Sequence, residues 1–119
     1  MTKNSLIYIE HILTEISVLQ AILAQHSKTT FCEDEIAWRA AVYAIQCISE
    51  AARRLPDEWL APYTDLPWRG IKGIGNPARH EYYAVDDEII WNILSEGIIP
   101  LRAAMLNLRD RFPYMPNPA

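Results

Sequence analysis

The sequence predicts an all-α protein, a bundle of four main helices plus a short extra helix. Two observations carry that prediction. Apolar residues recur in steps of three and four over long stretches, beginning with Ile9, Ile12 or Leu13, Ile16, Leu19 and Leu23, which places them on one face of a helix. No stretch shows the apolar/polar alternation of a half-buried strand, and no segment repeats.

The first helix is expected over residues 6–23. Lys28 and two threonines follow, and Thr30 with Glu33 has the spacing of a capping box, so a second helix is expected to start there and run to about Arg54. From Ile36 through Ala52 this helix is apolar nearly all round, a pattern typical of a helix surrounded by others. Glu50 then becomes a candidate buried acid. It either pairs with Arg53 or Arg54 one turn on, or orients a functional His or Arg. Leu55-Pro56 ends the helix, and residues 57–63 leave room for a short extra helical turn before Pro67.

Asp65 is an N-cap candidate for a third helix carrying Trp68, Ile71 and Ile74 inward. Gly70, Gly73, Gly75 and Pro77 weaken that helix, and a kink or frayed turn is expected near Pro77. Val85-Asp86-Asp87 caps a fourth helix holding Ile89, Ile90, Ile93 and Leu94. Gly97 and Pro100 are expected to interrupt it, with Leu101, Met105 and Leu108 continuing to about Arg111. The domain is therefore expected over residues 1–112, with 113–119 a Pro-rich tail.

A chain of 119 residues fits one domain, and at 50% apolar and 22% charged residues its composition is globular. The apolar runs read as too short and too interrupted to cross a bilayer. The N-terminal stretch lacks the unbroken apolar core of a signal peptide, so the expected location is the cytosol, without membrane attachment. Cys32 and Cys47 form no C-x-x-C pair and are expected to be free thiols. The formal net charge of −4 argues against a protein coated in nucleic acid. The charge is unevenly distributed, however. Arg69, Lys72 and Arg79 lie between Leu66 and His80 with no acid among them, leaving eight basic against fifteen acidic residues elsewhere. That stretch is either a local anion grip or a solvated helix face.

His11, His26 and His80 are scattered over separate elements, so neither a metal site nor a metal or organic cofactor is expected. The run G-I-K-G-I-G follows no strand and does not spell a dinucleotide fingerprint, and no G-x-S-x-G is present. His80 remains. It lies at a helix end beside Arg79, Glu81 and two tyrosines, where it can serve as a cap, as packing, or as a residue that gives and takes a proton near neutral pH.

Three segments in order resemble the HEPN superfamily and, within it, the HepT-like toxins. They are ISEAARRLP at Ile48 to Pro56, PWRGIKGIGNPARHEYYAVDDEIIW at Pro67 to Trp91, and the following IIPLR, and the resemblance spans residues 6–111. It implies an up-and-down helical bundle and a metal-independent endoribonuclease. It further implies a homodimer bringing two motifs into one cleft, with a minimal nucleotidyltransferase antitoxin as partner. The family signature is an Arg, usually followed by Asn, a His five residues after the Arg and a Tyr two after the His. Asn76, His80 and Tyr82 occupy their places here, but the Arg position holds Gly75. By resemblance His80 is the acid–base residue and Asn76 its helper. Arg69, Lys72 and Arg79 contact RNA, and Tyr82 is the residue the antitoxin modifies with AMP. Losing a preorganised donor for developing charge costs roughly 2.7–4 kcal/mol, so Gly75 implies reduced or lost cleavage. A silent scaffold subunit that binds a nucleotidyltransferase is the alternative.

Overall fold

The structure, a computed structural model, describes the backbone of residues 2–80 and 85–112 and the side chains of residues 5–74 and 85–112. All regular elements among them are helical. Helix α1 (Thr2–Gln25) buries Ile9, Ile12, Ile16 and Leu19 completely, the stripe expected from their spacing.

The expected second helix is two helices. Helix α2 (Lys28–Glu33) is capped by Ser27. The Ser27 hydroxyl accepts from the Thr30 N–H at 3.2 Å, and Thr30 Oγ1 accepts from the Ser27 N–H at 2.9 Å. Thr30 is thus the inner partner of the capping box and not its start. Asp34, with an extended backbone, ends α2 and caps α3 (Glu35–Ala52) through its carboxylate, which accepts from the Ala37 N–H at 3.1 Å. Nor is α3 surrounded. It buries Ala41, Val42, Ala44, Ile45 and Ile48, while Ile36 is 82% and Tyr43 65% exposed. Alanine inflated its apolar count: small residues let neighbouring helices approach closely on one side and leave the other side free. Glu50 is half-exposed and pairs with Arg53 at 3.9 Å, the plainer of the two readings of that acid.

After the turn at Pro56, α4 (Asp57–Leu60) buries Trp59, which stacks on Phe112 with ring centroids 4.3 Å apart. Helix α5 (Trp68–His80) follows. Its first carbonyl partner is Pro67, which accepts from the Ile71 N–H at 2.9 Å, so Pro67 and not Asp65 stands at the helix start. The backbone stays helical across Pro77. The donor that Pro77 lacks would have served the carbonyl of Gly73, and Gly73 is exposed, so water can take its place.

Helix α6 (Asp87–Asn92) is capped by the Asp86 carboxylate and passes without a break into a π-helical turn, Ile93–Gly97, and then α7 (Ile98–Arg111). Gly97 and Pro100 therefore do not interrupt the rod. The Ile98 N–H reaches back five residues to Ile93, and this wider turn absorbs the mismatch that a ring at Pro100 imposes on the preceding carbonyls.

The bundle closes as a cycle: α1 packs on α3 and α7, α3 on α5, and α5 on α6. Polar ties fasten the elements, among them Trp38 Nε1 donating to Asp87 at 2.7 Å, Lys28 with Glu88, and Arg109 with Glu10 at 3.1 Å. Two stretches, Ser5–Gln25 and Asp87–Arg111, are long and apolar enough to cross a bilayer, so the expectation that the runs are too short does not hold. Both turn an apolar side to the interior of this bundle, α1 through Ile9 to Leu19 and the second rod through Ile90, Leu94, Leu101 and Leu108. Residues 113–119 lie outside the described residues.

Candidate nucleic-acid interface on helix α5

Helix α5 is held by its inner face. Ile71 and Ile74 are fully buried and Trp68 is half-buried. Its position depends on two close approaches. Pro67 sits so near Gly97 that a Cβ there would lie 2.9 Å from the proline Cγ, while a Cβ at Gly70 would find Ile89 and Ile93 at 3.5 Å. The first demands glycine; the second is ordinary contact. On the outer face Arg69, Lys72 and Gly73 are exposed, and nothing lies within 4 Å of where a Gly73 Cβ would be.

Arg69 and Lys72 lie on two flanks of the helix. Arg69 borders a cleft of about 600 Å³ toward α6 and the π turn, which also holds Asp65, Asn92 and Glu96. Lys72 borders a cleft of about 490 Å³ toward α3 and α4, which also holds Ser49, Arg53, Asp57 and Trp68. The helix backbone continues through Gly75, Asn76, Arg79 and His80, but the side chains of these four lie outside the described residues, and Tyr82 does so entirely. In axial rise His80 stands about 12 Å beyond Lys72 and about 16 Å beyond Arg69. Sequence reasoning gave no role to Ser49. Ser49 lies in a segment already singled out, next to Glu50, but nothing in its spacing marks it as buried.

The outer groove between α1 and α3 is a second concentration of polar and aromatic groups, lined by Tyr8, His11, Glu15, Tyr43, Glu50 and Arg54 among others. Arg54 donates to the Tyr8 hydroxyl at 3.2 Å and stacks over its ring. Burial pushes the Cys47 thiol in this groove above its ordinary pKa, as it does Cys32. Both cysteines are free. Among the described residues no three His, Cys, Asp or Glu side chains converge in a way that could hold a metal ion.

Fold and site together define a small all-α bundle whose third long helix presents a basic outer face leading to a histidine. Comparison with known proteins makes this specific. Residues 12–108 match the family model described as "Ribonuclease HepT-like", and the chain belongs to the HepT-like family of the HEPN superfamily. It is 34% identical over 91 residues to "Putative RNase TTE0752" of Caldanaerobacter subterraneus subsp. tengcongensis, covering 76% of this chain and 81% of the relative. It is 24% identical over 109 residues to "Probable ribonuclease HepT" of Thermococcus cleftensis, covering 92% and 99%. A third relative, "Gamma-glutamylcyclotransferase and putative RNase MJ0434" of Methanocaldococcus jannaschii, is 24% identical over 110 residues, and the match spans only 50% of that longer protein. No solved structure matches.

Proposed function

We propose that this protein is a HepT-like endoribonuclease toxin that cleaves RNA without a metal and is neutralised by a minimal nucleotidyltransferase antitoxin. Its activity is reduced or lost because Gly75 stands at the family's Arg position. The observation that carries the reading is the family match over residues 12–108, which contains Asn76 and His80 on one continuous helix with Arg69 and Lys72. In this reading two copies pair so that their α5 helices face one RNA strand. His80 moves the proton of the ribose 2′-hydroxyl or of the leaving oxygen, a contribution of roughly 10²- to 10⁴-fold. Asn76 orients the phosphate or the imidazole, and Arg69, Lys72 and Arg79 hold the strand. Attachment of AMP to Tyr82 by the antitoxin places negative charge in the cleft and blocks it. The system works in the cytosol without membrane attachment.

The test uses purified protein with single-stranded RNA. Gly75→Arg is expected to raise cleavage by about 10²- to 10³-fold, and His80→Ala in that background to abolish the gain. Cleavage unchanged by Gly75→Arg, or insensitive to His80→Ala, refutes the enzyme reading. Gly75 itself favours the second reading, a catalytically silent scaffold subunit that recruits a nucleotidyltransferase. A chain that binds such a partner yet stays inactive after Gly75→Arg is that scaffold.

A further inference from the structure

The cleft between the end of α3, α4 and the start of α5 contains an anomaly. Ser49 is 3% exposed, and its Oγ has no hydrogen-bond partner; the buried Nε1 of Trp68 has none either. A buried donor without an acceptor is destabilising, and the two found among the described residues, both on residues lining the same cleft of about 490 Å³, call for a common cause. Both groups can donate. The same lining carries the side chains of Arg53 and Lys72, with Asp57 as its acid. Arg53 is partly engaged by Glu50 at 3.9 Å. The formal charge of the lining is one positive. The cleft also takes in the first turn of the thirteen-residue α5, the end at which the helix dipole is positive.

We propose that this cleft is a phosphate-binding site, in which an oxyanion accepts from Ser49 Oγ and Trp68 Nε1 while Lys72 and Arg53 balance its charge. A neutral ligand fits it less well, because it leaves the net positive charge of the lining uncompensated. Both donors are closed to bulk solvent in the free protein, so the lining must open for the anion to enter, and the exposed Lys72 side chain is its movable edge. The phosphate comes either from an RNA backbone or from a free nucleotide. The site shares Lys72 with the cleavage reading but does not use His80, and it would hold phosphate in a protein that cleaves nothing.

The experiment measures saturable binding of inorganic phosphate, AMP and a short single-stranded DNA, which carries the backbone charge without a reactive 2′-hydroxyl, by calorimetry at low ionic strength. Ser49→Ala removes no charge and is expected to weaken phosphate binding about tenfold or more without lowering the melting temperature of the free protein. Lys72→Gln is expected to weaken it comparably. Arg102→Gln, which removes an equal charge from the exposed side of α7, is expected to leave it unchanged. Tighter binding of the oligonucleotide than of AMP identifies the backbone as the source, and the reverse order identifies a nucleotide. No saturable binding of any of the three probes, an unchanged affinity in Ser49→Ala, or an equal loss in Arg102→Gln overturns the proposal. Phosphate affinity and the cleavage assay of Gly75→Arg are separate readouts, so failure of the one is distinguishable from failure of the other.

Discussion

Replacing Gly97 by alanine tests how α5 is positioned, and Gly73→Ala supplies the control from within the same molecule. At position 97 the added Cβ would lie 2.9 Å from Pro67 Cγ and 3.1 Å from Pro67 Cβ, against a comfortable carbon–carbon separation of about 3.5–4.0 Å. Pro67 is a ring on the turn that starts α5, so relief requires moving backbone. Overpacking of this kind costs about 1–3 kcal/mol. At position 73 the added methyl meets nothing within 4 Å, and only the gain in helix propensity remains, about 1 kcal/mol. Both substitutions share that gain, so the difference between the variants isolates the clash: Gly97→Ala should be less stable than Gly73→Ala by about 1–3 kcal/mol. Urea melts with equal slopes measure it directly. Equal midpoints, or a Gly97→Ala variant more stable than Gly73→Ala, would refute the claim that Pro67 packing on Gly97 sets the start of the helix. A Gly73→Ala variant less stable than the parent would show that another surface covers the outer face of α5.

Three further outcomes follow from packing and burial. Ile45→Ala, at a fully buried position of α3, should cost about 2–5 kcal/mol in the same melts; a loss below about 1 kcal/mol would contradict a close-packed centre. Ile36→Ser, at a position 82% exposed, should change stability by less than about 0.5 kcal/mol, and a larger loss would mean that the outer face of α3 is packed against another chain. The Cys47 thiol, pushed up mainly by burial and further by Glu15 and Glu50, holds less thiolate at a given pH than free cysteine. Its alkylation rate should therefore reach half-maximum at a higher pH than that of free cysteine, and a midpoint at or below the free value refutes that assignment.

Local patterns determined much of this protein. The stripe from Ile9 to Leu19, the short helix after Pro56 and the absence of strand alternation follow from side-chain spacing and turn residues, which act within a few residues of themselves. The order of the motif segments likewise sufficed to mark the family that residues 12–108 match, because the order and spacing of segments are read along one chain.

What the sequence could not decide was anything that depends on which side chains meet from distant parts of the chain. Whether Thr30 starts or completes a capping box turned on the backbone at Ser27. The alanine-rich stretch of α3 reads as apolar on every side until its neighbours are placed, after which Ile36 and Tyr43 face outward. Gly97 and Pro100 look like breaks because each is unfavourable in a regular helix, yet a π turn accommodates both where Pro67 must approach. Most of all, Ser49 and Lys72 are twenty-three residues apart in the chain and carry no shared pattern. Only the packing of α3 against α5 brings them to one cleft, because burial is a property of the assembled bundle and leaves no period in the sequence.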